Sequence, residues 1–105
     1  MNTDALMSIL VKRVVERFDP LRLILFGSHA RGTAHPGSDV DLLVVLPHVV
    51  DKRRVAIEIR RALSDFPLPK DIIVTTPEEI ARRGDSVGSV LRPALREGKV
   101  LYERR

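Results

Sequence analysis

The sequence predicts a small α/β (α+β) protein in which helices pack on a mixed β-sheet. Three observations support this fold class. Short apolar runs of strand length alternate with stretches whose apolar residues recur at helical spacing. Gly, Pro and Asp residues stand between these segments, where turns are expected. The 105 residues are enough for one real core but not for a second, so we expect a single domain over residues 1–105.

The first half of the chain begins with a helix predicted over Asp4–Phe18. Its apolar residues step by four and form one wide apolar face: Leu6, Leu10, Val14 and Phe18. Asp19 and Pro20 end this helix, because the residue before a proline avoids helical angles. The apolar run Leu21–Phe26 has the length of a buried strand. A short helix follows, with Ser28 as its expected N-cap and its end near Gly32.

A second strand, Asp39–Leu46, and a second long helix, Asp51–Phe66, come next. Asp51 is a suitable helix cap, and a buried stripe is predicted along one helix face. The stripe comprises Val55, Ile59, Ala62, Leu63 and Phe66. Lys70–Thr75 is the third predicted strand, because its centre is β-branched.

The remaining segment predicts two further helices and an edge strand. Thr76 is a cap for a short helix that ends at Gly84, with Pro77 in its first position. The residues between Val87 and Leu95 show helical spacing, and Pro93 must either kink that helix or begin its last part. Lys99–Tyr102 completes the pattern as an edge strand. This periodicity does not determine the order of the strands in the sheet.

Composition excludes several classes of function. The chain has no cysteine, so neither a disulfide nor a thiolate metal site is possible. No apolar run approaches the roughly 20 residues of a membrane span, and we expect a cytoplasmic protein. The formal charge of +4 favours an anionic ligand or an acidic partner. Aromatic residues are too few and too scattered for a single-strand nucleic-acid platform, so direct nucleic-acid binding is not expected.

The candidate site lies in the stretch from Gly27 to Asp41. Gly27 and Ser28 follow the first strand directly, where a tight turn lets a phosphate approach the backbone. Asp39 and Asp41 are two residues apart at the start of the second strand, which places both carboxylates on one side. Like charges so placed repel each other unless a cation lies between them. A phosphate-binding turn beside paired carboxylates suits phosphoryl or nucleotidyl transfer. The alternative is that Asp39 only caps a turn and Asp41 is merely exposed.

Gly27-Ser28, Arg31-Gly32 and Ser38-Asp39-Val40-Asp41-Leu42 resemble the signature of the polymerase β nucleotidyltransferase superfamily. The short chain is similar to its minimal branch, the MNT proteins. The resemblance covers most of the chain and implies the polymerase β-like nucleotidyltransferase fold.

The resemblance also implies a role for each residue of the motif. Asp39 and Asp41 would bind two Mg²⁺ ions, and Asp71 would be the third catalytic and metal-binding carboxylate. Gly27, Ser28 and Arg31 would bind the nucleotide. Arg31 is as readily explained as a surface arginine, and Asp71 as an ordinary residue at a strand edge. His29 is interpreted as a rim residue.

MNT proteins are commonly antitoxins that pair with HEPN ribonuclease toxins. The resemblance therefore implies transfer of AMP from ATP to a tyrosine hydroxyl of a HEPN toxin by a two-metal mechanism. One alternative is a non-catalytic binding module that neutralises the toxin by contact alone. Another is modification of a small molecule such as an aminoglycoside, which would normally need a larger acceptor domain.

Overall fold

The computed structural model describes residues 3–104, with the side chains of residues 4–104. In this part of the chain the elements follow in the order α1 (Thr3–Phe18), β1 (Arg22–Phe26), α2 (Ser28–Arg31), β2 (Val40–Val45), α3 (Lys52–Ala62), β3 (Lys70–Thr75), α4 (Pro77–Arg83), α5 (Leu91–Glu97) and β4 (Lys99–Glu103). This is the predicted order of elements. No helix within residues 3–104 is long and apolar enough to cross a membrane.

The four strands form one mixed sheet in the order β3-β2-β1-β4. β1 pairs antiparallel with both β2 and β4, whereas β2 and β3 pair in parallel. The parallel pair needs a crossover connection, and α3 supplies it. The predicted mixed sheet with helices packed on it is therefore confirmed.

The two faces of the sheet are covered unequally. Alternate strand residues such as Leu42 and Leu43 point to opposite faces and join separate apolar cores. The larger core contains the buried residues of α1 and α3, among them Leu10, Val14 and Ile59. The smaller core lies on the other face, beneath α5. The side with the smaller core is also the side on which the candidate site lies.

Several predicted boundaries differ from the observed ones. β2 begins at Val40, so Asp39 precedes it. The regular part of α3 ends at Ala62, and turns lead from there to the buried Phe66. Asp51 and Thr76 cap α3 and α4 as predicted, since each side chain accepts a hydrogen bond from a backbone N–H in the first turn.

Two local predictions are wrong. The N-cap of α2 is Gly27, not Ser28, because the turn needs a positive φ at the capping position and Gly27 provides it at 73°. The last helix begins at Leu91 and does not include Val87, which is 86% exposed. Gly88, at φ 87°, interrupts the helical spacing, and Pro93 then falls within the first turn, where its missing N–H leaves no hydrogen bond unmade.

Candidate functional site

Two of the three predicted carboxylates are neighbours across the parallel strands. Asp41 in β2 pairs in register with Asp71 in β3, near the start of both strands. The residues two positions further along, Leu43 and Ile73, belong to the smaller core, so both carboxylates lie on that face of the sheet. Asp39 follows the turn at residues 36–37 and directly precedes β2. The fold therefore gathers at one end of the sheet three residues that span 33 positions of sequence.

The pKa of Asp41 is affected by the closeness of these carboxylates. Partial burial raises the pKa of its carboxyl group, and the negative charges of Asp71 and Asp39 raise it further. The positive charges of His29 and Arg31 oppose these effects without cancelling them. The ionised form of Asp41 is thus less favourable than in an ordinary aspartate, and a cation bound here would relieve the repulsion.

Gly27 lies against the carboxylate of Asp41. Phe26, the last residue of β1, pairs with Asp41, and the chain then turns into α2. A Cβ atom at position 27 would lie 2.1 Å from Oδ2 of Asp41, far inside any permitted contact. A side chain at this position is therefore disfavoured twice, once by the positive φ and once because the Asp41 carboxylate would have to move.

Ser28 and Arg31 are the first and last residues of α2. Ser28 is partly buried and follows the capping residue Gly27. Arg31 is exposed, and its charge lowers the pKa of Asp41, which places it within electrostatic range of the carboxylates. Arg31 is thus near the carboxylates, and the nucleotide-binding roles of Ser28 and Arg31 stay predictions.

Sequence reasoning missed the structural part played by His29. Its Nε2–H donates a hydrogen bond to the backbone carbonyl of Ser38, 3.1 Å away. The hydroxyl of Ser38 in turn accepts a hydrogen bond of 2.8 Å from the backbone N–H of His35. These bonds tie the turn that precedes Asp39 to α2. No local pattern signals this contact, because it joins two segments through a side chain and a backbone carbonyl.

Arg60 was also not predicted as part of the site. Its Nη2 lies 3.3 Å from Oδ1 of Asp71. Within residues 3–104, no three carboxylate or imidazole side chains are arranged so that they could hold a metal ion as they stand. The donor chemistry nevertheless fits Mg²⁺, which prefers carboxylate oxygens. Gly27 brings a backbone without a side chain against Oδ2 of Asp41.

Comparison with known proteins identifies the family to which this geometry belongs. A model of the nucleotidyltransferase domain matches residues 7–100, which include Gly27 and all three aspartates. The chain belongs to the nucleotidyltransferase domain family. A Methanocaldococcus jannaschii protein provisionally assigned as a protein adenylyltransferase is 31% identical over 91 residues, which are 82% of this chain. This chain spans 60% of the length of that relative.

Solved structures share the nucleotidyltransferase fold. A chain of a toxin–antitoxin complex with AMP-PNP is 22% identical and has a TM-score of 0.64; the match covers 94% of this chain and 74% of that one. A chain from the complex of a tri-AMPylated HEPN toxin with its MNT antitoxin, from Shewanella oneidensis, is 18% identical with a TM-score of 0.55. That match covers 96% of this chain and 72% of the other. The predicted fold class is therefore confirmed.

Proposed function

We propose that the protein is a Mg²⁺-dependent nucleotidyltransferase that moves AMP from ATP to a tyrosine hydroxyl of a HEPN toxin partner. The observation that carries the proposal is the set of Asp41, Asp71 and Gly27. Two carboxylates stand in register at one end of the sheet, and a side-chain-free backbone lies against one of them. Family membership supports nucleotidyl transfer. The fold shared with an MNT antitoxin and with an AMP-PNP complex supports the choice of partner and nucleotide.

In the proposed site, Asp39, Asp41 and Asp71 would hold the metal. Bound Mg²⁺ would neutralise charge on the triphosphate and increase the acidity of the attacking hydroxyl. Asp41 and Asp71 would orient both reactants through their fixed positions on β2 and β3. Gly27 keeps side-chain atoms away from the carboxylate of Asp41, beside which the phosphates would bind, and the hydroxyl of Ser28 would donate to a phosphate oxygen. Arg31 adds a positive charge near the same place.

The reaction exchanges a phosphoanhydride bond of ATP for a phosphodiester bond to tyrosine. The tyrosine oxygen forms a bond to the α-phosphorus of ATP, and the bond from that phosphorus to the bridging oxygen breaks. Pyrophosphate leaves with the bonding electrons, and the phenolic proton passes to a carboxylate of the site or to solvent. A phenol has a pKa near 10, so only moderate help is needed to remove this proton. The attached AMP adds charge and bulk that would obstruct the RNA-binding groove of a ribonuclease.

Mass spectrometry of the partner tests this proposal directly. The protein is incubated with ATP, Mg²⁺ and a HEPN partner, and the partner is searched for added AMP on tyrosine. We expect modification by the wild type and by Asp85→Asn, a control at an exposed carboxylate outside the site. We expect none with Asp41→Asn.

The same experiment distinguishes the alternative function. An unmodified toxin that is nevertheless inhibited by the Asp39→Asn, Asp41→Asn double variant would favour neutralisation by contact alone. Modification of an acceptor by Asp41→Asn at the wild-type rate would refute the proposed site.

A further inference from the structure

Arg60 reaches the candidate site from the opposite face of the sheet. It lies in the last turn of α3, whose buried residue Ile59 belongs to the larger core. Asp71 is in β3, the edge strand of the sheet, and its carboxylate is on the face of the smaller core. The guanidinium of Arg60 therefore passes around the edge of the sheet to come within 3.3 Å of Oδ1 of Asp71. Both side chains are 50% exposed, so both remain accessible to solvent and to ions.

This ion pair distinguishes Asp71 from its two neighbours. Within the described residues, neither Asp39 nor Asp41 has a basic side chain within 4 Å, whereas Asp71 has Arg60. The negative charge of Asp71 is thus partly neutralised by the protein itself. The charges of Asp39 and Asp41 are not neutralised in this way.

We propose that Arg60 is a counter-ion that competes with a metal ion for the carboxylate of Asp71. This inference rests on the proposed function, because it takes the three aspartates as the metal site. A divalent cation that binds all three carboxylates must draw Asp71 away from Arg60 or bind beside a positive charge. Either event opposes metal binding. Arg60 therefore weakens metal binding in the nucleotide-free protein.

Manganese binding without nucleotide measures this competition independently of catalysis. Mn²⁺ is titrated into the purified protein, and the free ion is followed by electron paramagnetic resonance. We expect Arg60→Ala to bind Mn²⁺ about two- to fivefold more tightly than the wild type, the size of effect typical of a solvent-exposed ion pair. Arg60→Gln, which keeps most of the side chain without its charge, should behave in the same way. Arg61→Ala, at the adjacent exposed arginine of α3, is the matched control and should change little.

A double-variant comparison assigns the effect to Asp71. In an Asp71→Asn background, the further change Arg60→Ala should leave Mn²⁺ affinity nearly unchanged, because the carboxylate for which the two cations compete is gone. Wild-type-like circular dichroism spectra would establish that the variants are folded.

The possible failures are distinguishable. If the wild type does not bind Mn²⁺, the proposed metal site and this inference fail together. If the wild type binds Mn²⁺ but both Arg60 variants bind it equally or more weakly, the inference alone is overturned. If both variants bind Mn²⁺ more weakly, Arg60 orients Asp71 for the metal and does not compete with it.

Discussion

The two ends of the parallel strands β2 and β3 carry acidic residues in opposite electrostatic situations. At the start of the strands, Asp41 lies beside Asp71 and Asp39, and its pKa is raised by burial and then by these two charges. Beyond the end of β3, Glu79 of α4 accepts a hydrogen bond of 2.6 Å from the buried hydroxyl of Thr75 and pairs with Lys52 of α3. Burial alone would raise the pKa of Glu79, but these bonds and nearby positive charges lower it.

Glu79, at one end of the strands, contributes to stability, whereas the aspartates at the other end form the candidate binding site. The network around Glu79 ties the starts of α3 and α4 to the sheet, and every buried polar atom in it has a partner. Such a network stabilises the fold in the absence of any ligand. The aspartates at the other end repel one another, so they reduce stability until a cation arrives. Groups that destabilise the protein in this way are typical of functional sites.

Replacing Asp41 should give the largest functional effect. We expect Asp41→Asn to lower nucleotidyl transfer by more than the roughly 10–100-fold that the loss of a residue supporting a metal ligand costs. Because folding raises the pKa of Asp41, its ionised form destabilises the protein above pH 3.8, the ordinary pKa, and does not do so well below it. Thermal unfolding at neutral pH should therefore show equal or higher stability in Asp41→Asn. A marked loss of stability would contradict the proposed crowding.

A substitution at Gly27 tests whether a side chain can be accommodated beside the aspartates. Gly27→Ala introduces a Cβ into the space next to Oδ2 of Asp41, so nucleotide binding should be lost or greatly weakened. Gly32→Ala is the control for a positive φ without a close neighbour, because Gly32 has φ 74° and nothing lies within 4 Å of its Cβ position. Gly32, at ψ 19°, is left-handed, so alanine there should lower stability by about 1–2 kcal/mol. Gly27, at ψ −154°, is in a region that only glycine adopts readily, so alanine there should cost about 1–3 kcal/mol. Equal nucleotide affinities in the two variants, measured by calorimetry, would show that contact with Asp41 is unimportant.

Replacing Glu79 should lower the stability of the protein and leave its activity unchanged, the reverse of replacing Asp41. Glu79→Gln removes the charge that pairs with Lys52 in a site where the Glu79 side chain is only 14% exposed. We expect a loss of about 1–3 kcal/mol in the free energy of unfolding, measured by urea denaturation at pH 7. Nucleotidyl transfer should be unaffected. Glu78→Gln, at an adjacent side chain that is 82% exposed, provides the control and should change stability little. A loss of nucleotidyl transfer in Glu79→Gln would show that the network around Glu79 also affects the aspartates at the other end of the strands.

Acid should weaken the same network. Because the pKa of Glu79 in the folded protein lies below its ordinary value of 4.5, the stabilisation is complete above pH 4.5 and disappears as the pH falls through the lower folded value. The stability difference between the wild type and Glu79→Gln should therefore shrink at acidic pH. A difference that is constant between pH 7 and pH 3 would show that charge is not its source.

His29 should give the smallest effect. His29→Ala removes the hydrogen bond to the carbonyl of Ser38, which holds the turn before Asp39. One such bond contributes about 0.5–1.5 kcal/mol, so we expect a small loss of stability and faster hydrogen exchange in residues 35–39. His48→Ala, at an exposed loop residue, serves as the control. Unchanged exchange in that turn would make His29 the rim residue that the sequence suggested.

Much of the fold could be predicted because it follows from the types and spacing of residues that are close in sequence. The strand Lys70–Thr75 and the caps at Asp51 and Thr76 follow from side-chain type and spacing, and the structure places them as predicted. The strand order could not be predicted in this way, because it depends on which elements pack together. The cap of α2 was assigned to Ser28 because serine is a good cap, whereas the backbone angle at Gly27 decides the position.

The candidate site was predictable to the same extent. Asp39 and Asp41 are two residues apart, so their proximity can be read from the sequence. Asp71 required the resemblance to a family, because only the register of β2 and β3 brings it beside Asp41. The contacts made by His29 and Arg60 join different elements of the fold through single side chains, and no sequence pattern indicates them.

Binding of a non-hydrolysable ATP analogue in the presence of Mg²⁺ tests the central claim most directly. Calorimetry would compare the wild type with Asp41→Asn and Glu79→Gln at neutral pH. If the aspartates bind the nucleotide and Glu79 only stabilises the fold, the wild type and Glu79→Gln should bind the analogue with equal affinity. Asp41→Asn should show no saturable binding. Binding to Asp41→Asn as tight as to the wild type would show that the nucleotide does not bind at the crowded carboxylates.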